Sequence, residues 1–150
     1  MDNNIALFTS GVVALSQKGR KDIKWLVVKK DEESDWELPR TLARKGESSV
    51  RAGIRMLAEQ AGLNVKVIEE VGRSGGATKL NGEAVSQRTI YYLMTTKDEG
   101  ENLTFFEMEW LEYSKIIRRL SSKQEQQMLR EARDFLKKIR KYNSKQRKAQ

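Results

Sequence analysis

The chain has 150 residues, contains neither cysteine nor histidine, and carries 29 Lys and Arg against 21 Asp and Glu. These counts exclude disulfides, thiolate nucleophiles, imidazole bases and cysteine-based zinc sites, so any catalysis must use carboxylates, hydroxyls, lysine or arginine. No run reaches the roughly 18 apolar residues that would span a membrane, and the N-terminus has no basic region of the kind that opens a signal peptide. We therefore expect a single cytoplasmic domain with no membrane segment.

Two short runs rich in β-branched residues begin the predicted secondary structure. Residues 9–15 (TSGVVAL) and 24–30 (KWLVVKK) predict neighbouring strands, and the segment QKGRKD between them predicts a turn. Residues 36–39 (WELP) predict a third, short extended piece.

A helix is predicted next, because the spacing of the apolar residues changes at Ser48. The positions that form its predicted buried stripe are Val50, Ile54, Leu57 and Ala61. Ser48 or Ser49 can cap the start of this helix, and Gly62 is a suitable C-cap. The residues predicted to project from the opposite side are 52, 55, 56, 59 and 60.

The second half of the chain predicts two more strands, a long loop, a further strand and two helices. Residues 65–71 and 88–96 read as strands, and the Gly-rich segment between them, GRSGGATKLNGE, is predicted to be a long exposed loop. Residues 104–111 predict a half-buried strand. Residues 113–120 and 122 to about 142 predict helices. Strands and helices in this order predict an α/β sandwich.

The positive charge is concentrated at the C-terminus. Residues 137–150 contain seven Lys or Arg and no acid, which leaves 22 basic and 21 acidic residues elsewhere. We expect residues 1–136 to form the domain and residues 137–150 to form a basic tail, as a fraying helix end. Such a tail is either a solvated helix end or a surface that binds RNA or another acidic partner.

Residues 38–63 resemble the Nudix box, G-x5-E-x7-R-E-U-x-E-E-x-G-U, in which U is a bulky aliphatic residue. Leu38-Pro39-Arg40-Thr41 stands at the LPKG lead-in of the family, and Gly46-Glu47-Ser48 stands at its GES turn. The matching box positions, all in register, are Glu47, Arg55, Leu57, Glu59, Gly62 and Leu63. The departures are Thr41 for the opening glycine, and Met56 and Gln60 for two glutamates.

The resemblance covers residues from about 10 to 136 and is nearest to diadenosine tetraphosphate hydrolases, with SGVVAL and WLVV before the box and RTIYYL after it. It implies a Nudix-type α/β/α sandwich with a mixed sheet and a long C-terminal helix. It also implies hydrolysis of a nucleoside diphosphate linked to another group, with Mg²⁺ or Mn²⁺ held by the box glutamates.

The resemblance assigns candidate roles to single residues. Its catalytic candidates are Glu59, Arg55 and Glu47. The candidate metal ligands are Glu59, Glu47 and Glu109. The candidate substrate-binding residues are Arg40, Lys79, Arg88 and Tyr91. The structural alternatives are a salt-bridge group for Arg55, Glu59 and Glu47, ordinary surface charges for Lys79 and Arg88, and a core position for Tyr91.

The departures from the box bear on activity. Met56 offers no oxygen to a hard cation and is expected to be a packing or rim residue, while Gln60 keeps a carbonyl but loses a charge. We therefore expect a protein that binds a nucleotide, a dinucleoside polyphosphate or an RNA end, with hydrolysis weak or lost. The alternative is an active metal-dependent hydrolase with an altered metal site, completed by Glu101, Glu107 or Glu109.

Overall fold

The computed structural model describes residues 5–17 and 22–148. Most of the turn predicted at QKGRKD and the last two residues of the predicted tail lie outside these ranges. The elements in chain order are β1 (Ile5–Leu15), β2 (Lys24–Lys29), β3 (Arg40–Leu42), α1 (Ser49–Ala61), β4 (Lys66–Leu80), β5 (Glu83–Thr96), β6 (Glu107–Glu112), α2 (Tyr113–Arg119) and α3 (Lys123–Lys148). None of the helices in the described ranges is long and apolar enough to cross a membrane.

The strands form one mixed sheet of six strands. Its order is β4-β5-β1-β2-β6, and β3 pairs with β1 beside this path. β1 and β5 run parallel, from the pair Ile5 and Ser86 to the pair Leu15 and Thr96, whereas the other pairs of strands are antiparallel. The predicted mixed sheet is confirmed.

The segment that leads into α1 fills a gap between β1 and β2. Among the described residues, these two strands pair at only two positions, Ala14 with Trp25 and Leu15 with Lys24, and the space beyond is occupied by β3. Ser10 Oγ donates a hydrogen bond of 2.9 Å to the Pro39 carbonyl. The lead-in to the box is therefore held inside the sheet rather than on its surface.

Two apolar clusters lie on opposite faces of the sheet, because side chains alternate between the faces of a strand. α1 packs on the first face, in a cluster that includes Val13, Leu26, Met56, Leu57, Ala61 and Met94. α2 and α3 pack on the second face, in a cluster that includes Val12, Trp25, Leu93, Ile116, Leu129 and Ala132. The predicted α/β/α sandwich is confirmed.

α1 has the predicted ends but a different buried side. Ser48 Oγ accepts from the backbone N–H of Arg51, and Gly62 ends the helix with a left-handed φ of 58°. The buried residues are Ala52, Gly53, Met56, Leu57 and Ala61. The predicted stripe was therefore wrong at Ile54, which is 40% exposed, and positions 52 and 56 do not project outward. Gly53 lies on this buried side, where a Cβ would lie 2.7 Å from Met94 Cε, so glycine lets the helix pack here without displacing that side chain.

The predicted long loop between the fourth and fifth strands is wrong. β4 and β5 pair as one long antiparallel hairpin, up to the pair Leu80 and Glu83. The chain reverses at Asn81-Gly82, where both residues have positive φ values, 53° and 81°. This is the backbone that Asn-Gly favours in two-residue hairpin turns. The glycines of β4 thus lie within an exposed strand.

The C-terminal elements agree with their predicted types but differ in their limits. β6 starts at Glu107, because the Asn102 side chain accepts from the Phe105 N–H at 2.9 Å and donates to the Phe105 carbonyl at 3.0 Å in a turn before the strand. α3 continues to Lys148 rather than ending near residue 142. Residues 137–146 are exposed apart from Ile139, which is half-buried. The basic segment is therefore a continuation of the helix.

Candidate functional site

Glu47 accepts hydrogen bonds from three N–H groups at the turn before α1. Arg55 donates from Nε to Glu47 Oε2 at 2.7 Å and from Nη2 to Oε1 at 2.9 Å, and the backbone N–H of Arg44 also donates to Oε1 at 2.9 Å. These bonds, first that of Arg55 and then that of Arg44, lower the pKa of Glu47 to about 2. The Glu47 side chain is only 14% exposed, so most of its acceptor capacity is used within the protein.

Arg55 connects Glu47 to Glu59. Its Nη1 lies 3.6 Å from Glu59 Oε2, one helical turn away, and its Nη2 donates to the Leu42 carbonyl at 3.3 Å. The bond to Glu47 raises the pKa of Arg55. Glu59 is the open member of the group, because 54% of its side chain is exposed. The structure thus brings the three predicted catalytic residues together in one charge cluster.

Met56 and Gln60, the two departures from the box, have different surroundings. Met56 is 0% exposed and packs in the cluster between α1 and the sheet. Met56 is therefore a packing residue, one of the two alternatives (packing or rim) that the sequence predicted for it. Its sulfur does not lie on the exposed side of α1 that carries Glu59. Gln60 is partly exposed, and its backbone carbonyl accepts from the N–H of Leu103 at 3.0 Å.

Arg40 lines a cavity of about 390 Å³ beside the end of α1. This space, the Arg40 cavity, is lined by Phe8, Lys30, Glu37, Arg40, Thr41, Leu42, Gln60, Thr104 and Phe105. The Arg40 guanidinium lies 4.8 Å over the centre of the Phe8 ring, and Arg40 Nε is buried with no hydrogen-bond partner among the described residues. The cavity therefore combines two cations, two aromatic rings and the Glu37 carboxylate.

Glu125 is a buried carboxylate that the sequence interpretation missed. It lies in the first turn of α3, is 9% exposed, and accepts from the Leu38 N–H at 2.9 Å through Oε2. Burial raises the pKa of Glu125 to about 7, against the opposing effect of the Leu38 hydrogen bond. Burial also raises the pKa of Glu37, which lines the Arg40 cavity. The sequence indicates only that Glu125 falls in the first turn of a helix, where the helix dipole favours a carboxylate.

The other predicted substrate-binding residues do not line the Arg40 cavity. Tyr91 is 6% exposed, packs in the cluster under α2 and α3, and has a pKa raised by burial. Lys79 and Arg88 are exposed on β4 and β5, and neither lines the Arg40 cavity. Of the four predicted residues, the structure places only Arg40 in this space.

Glu109 lies on the opposite face of the sheet from α1. It pairs across the sheet with Val27, whose side chain belongs to the cluster under α2 and α3. Its Oε2 contacts Arg119 Nη1 at 3.3 Å. The structure therefore does not bring Glu109 together with Glu47 and Glu59.

The remaining donors do not fit a magnesium site built from several carboxylates. Glu47 is hydrogen-bonded to Arg55, Met56 is buried, and Gln60 is uncharged, which leaves Glu59 as the one open carboxylate of the box helix. Within residues 5–17 and 22–148, no group of three or more acidic residues is placed to hold a metal ion. Hard divalent cations need such oxygen donors.

Comparison with known proteins gives a family and a set of structural relatives. The NUDIX domain family model matches residues 8–135. No curated protein sequence matches the chain significantly. The Ap4A hydrolase of C. elegans, in a binary complex, is 18% identical, with a TM-score of 0.67 over 87% of this chain and 97% of that chain.

Two further solved structures share the fold. The NUDIX domain of Shewanella oneidensis NrtR, complexed with ADP ribose, is 17% identical, with a TM-score of 0.68 over 87% of this chain and 88% of that chain. The dihydroneopterin triphosphate pyrophosphohydrolase of E. coli is 11% identical, with a TM-score of 0.68 over 82% of this chain and 91% of that chain. At these identities the likeness establishes the fold.

Proposed function

Because the chain belongs to the NUDIX domain family, we propose that it binds a nucleoside diphosphate linked to another group and hydrolyses it weakly or not at all. The observation that carries this proposal is the burial of Met56, which stands where the box has a glutamate and is 0% exposed. In this function the Nudix box is a structural unit, and the Arg40 cavity is the ligand site.

The chemistry of the Arg40 cavity supports binding of a phosphorylated ligand. Arginine donates strong, charge-assisted hydrogen bonds to phosphate, and the Arg40 side chain lines the cavity. Lys30 adds a second cation, and Phe105 offers a ring against which a nucleoside base can pack. The solved relatives named as an Ap4A hydrolase and as a complex with ADP ribose support this class of ligand, which includes nucleotides, dinucleoside polyphosphates and RNA ends.

The donor set supports weak hydrolysis. NUDIX hydrolases generally use divalent metal ions, which need several anionic oxygens to bind tightly and to lower the pKa of a bound water. In this chain two of the box carboxylates are replaced, and a third, Glu47, is engaged by Arg55. The group of Glu47, Arg55 and Glu59 is accordingly proposed to hold the turn before α1 in place.

An active hydrolase with an altered metal site is the second candidate function. The observation that favours it is the position of Glu37, which lines the same cavity as Gln60 and could supply a carboxylate from outside the box helix. In this version Glu59 and Glu37 hold Mg²⁺ or Mn²⁺ with the Gln60 side-chain carbonyl. The predicted Glu109 is replaced by Glu37, since Glu109 faces the other side of the sheet.

The basic end of α3 is proposed to add phosphate contacts when the ligand is an RNA. Lys138, Lys141 and Lys145 are exposed on this continuous helix, and no acid follows Asp134. Such contacts are independent of nucleotide sequence and weaken as salt rises. A cytoplasmic location belongs to the same proposal.

Ligand titration tests the binding half of the proposal. ADP-ribose and Ap4A are titrated into the natural protein by calorimetry, once with Mg²⁺ and once with EDTA, and we expect similar affinities in the two conditions. Arg40→Gln should weaken binding about tenfold, the cost of a hydrogen bond to a charged group. Arg51→Gln is the matched control, because Arg51 is exposed on α1 and does not line the cavity.

Product release from the same ligands tests the catalytic half. We expect at most slow turnover with Mg²⁺ or Mn²⁺, and a rise in turnover for Gln60→Glu, which adds a carboxylate to the cavity without entering the core. Binding that requires metal, together with turnover of the natural protein at ordinary enzyme rates, would instead establish the second candidate. Equal binding by Arg40→Gln and the natural protein would overturn the assignment of the cavity.

A further inference from the structure

A second cavity, of about 430 Å³, lies beside α3 on the opposite face of the sheet from α1. Its volume is within the range of small-molecule sites in proteins. It shares no lining residue with the Arg40 cavity. We call it the α3 cavity, and it is formed where α3 passes the start of β2 and the junction of β6 and α2.

One side of the α3 cavity is cationic. Arg133, Lys137 and Arg140 line it from α3, at the spacing i, i+4 and i+7 that places residues on one side of a helix. Arg133 is held in position, because its guanidinium stacks 3.9 Å from the centre of the Tyr113 ring. Arg133 Nε is buried and has no hydrogen-bond partner among the described residues. This side therefore presents positive charge, part of which is held in place by the Tyr113 ring.

Arg140 is also positioned at the cavity. Its Nη2 lies 3.4 Å from Ser16 Oγ at the end of β1. Within the described ranges, neither Arg140 nor Lys137 contacts a carboxylate at ion-pair distance, whereas Arg133 Nη2 lies 3.4 Å from Asp134 Oδ1. Two of the three cations are thus available to an anionic ligand.

The rest of the α3 cavity is lined by apolar side chains and by two carboxylates. Ile23, Trp25 and Leu136 supply apolar surface. Asp22 and Glu112 line it from elements other than α3, and their carboxylates accept hydrogen bonds from hydroxyl or amino groups. These acids oppose a compact anion such as free phosphate. They suit a ligand that is anionic at one end and carries donors at the other.

We propose that the α3 cavity binds a phosphate monoester of a polar organic group, of the kind represented by a nucleoside monophosphate. The phosphate contacts Lys137 and Arg140, and the hydroxyl or amino groups of the ligand donate to Asp22 and Glu112 across the apolar surface. This site is independent of the function proposed for the Arg40 cavity, because the two cavities share no lining residue.

Residue-resolved titration with AMP separates the two sites. In ¹⁵N NMR spectra at physiological salt, we expect the backbone amides of Ile23, Tyr113, Ser114 and Leu136 to shift with one common Kd. The amides of Thr41, Leu42 and Gln60 report the Arg40 cavity separately, so failure at one site is distinguishable from failure at the other. Adenosine and inorganic phosphate, titrated alone, should each bind the α3 cavity at least about tenfold more weakly than AMP.

Two double variants on α3 provide a matched comparison of charge. Lys137→Gln/Arg140→Gln should weaken AMP binding at the α3 cavity about tenfold or more, whereas Lys138→Gln/Lys141→Gln, with the same change in charge, should alter it less than about twofold. Equal weakening by both variants would show a diffuse charge effect and overturn the proposal. So would an absence of shifts at the α3 cavity up to about 10 mM AMP, or binding of inorganic phosphate as tight as that of AMP.

Discussion

Two carboxylates contact the segment that leads into α1, and their surroundings are opposite. Glu47 accepts from Arg44 and Arg55, which lower its pKa to about 2. Glu125 accepts from the Leu38 N–H, and its burial raises its pKa to about 7. The first belongs to the box, and the second comes from the C-terminal helix.

The contrast shows that the Nudix-box turn and the carboxylates with raised pKa values lie at different places in this protein. The box turn is a charge cluster in which each carboxylate has an arginine partner, as in many structural networks. The acids with raised pKa values, Glu37 and Glu125, gather around Arg40 on the lead-in segment. Both acids lie outside the residues that match the Nudix box.

Placing a carboxylate at position 56 tests the comparison most severely. Met56→Glu should lower the free energy of unfolding by about 3 to 5 kcal/mol, because the new charge has no partner in the core. Met56→Leu, a substitution of similar volume, should cost less than about 1.5 kcal/mol. Urea denaturation measures both. A stable Met56→Glu protein that gained Mg²⁺-dependent hydrolysis would show that position 56 faces the ligand after all.

The pH dependence of stability tests the second region. Because folding raises the pKa of Glu125 from 4.5 to about 7, the folded state binds more protons between these values. The contribution of Glu125 is therefore fully present below about pH 4.5 and is lost as the pH rises through about 7, a change of about 3 kcal/mol. Glu125→Gln should flatten this part of the stability curve, measured by urea denaturation at several pH values. Glu131→Gln, exposed on the same helix, should leave it intact.

Gly100 supports the box helix from the loop after β5. It has a left-handed φ of 68°, and a Cβ there would collide with the Ala61 carbonyl oxygen and the Leu63 side chain. Gly100→Ala should therefore destabilise the protein by about 2 kcal/mol, seen as a lower Tm. Gly76→Ala is the control, since a Cβ at Gly76 meets nothing within 4 Å. An equal Tm for both variants would contradict the described packing at the end of α1.

The smallest effect concerns the start of α1. Ser49 Oγ and the Tyr92 hydroxyl are 2.6 Å apart, a hydrogen bond between the box helix and β5. Ser49→Ala and Tyr92→Phe should each cost about 1 kcal/mol, and the double variant should cost little more than either. A thermodynamic cycle from denaturation curves measures this coupling, and full additivity would exclude the bond in solution.

The local signals in the sequence predicted the box helix well but not its buried side. Gly62 was identified as the C-cap, and Ser48 as one of two candidate N-caps beside Ser49, because capping depends on local sequence. The buried side was misassigned because large apolar residues such as Ile54 dominate the pattern, whereas Gly53, on the buried side, has no side chain to indicate it. Met56 is buried on the same side of the helix as Gly53.

The candidate site was predicted where its contacts are close in sequence. Glu47 and Arg55 are 8 residues apart and were identified together. Glu125 and Leu38 are 87 residues apart, and no local pattern connects them. Lys79, Arg88 and Glu109 were assigned to a site by residue type, and only the twist and pairing of the sheet determine which face each one occupies.

The parallel pairing of β1 with β5 has a consequence for synthesis of the chain. β1 is the central strand of the sheet, yet its longest partner begins at Ser86 and ends at Thr96. While the ribosome makes the intervening residues, this apolar strand has one open edge that waits for a partner made much later. Non-local pairing of this kind slows folding and exposes intermediates to aggregation. The newly made N-terminal half is therefore the part of this protein that chaperones would be most needed to protect.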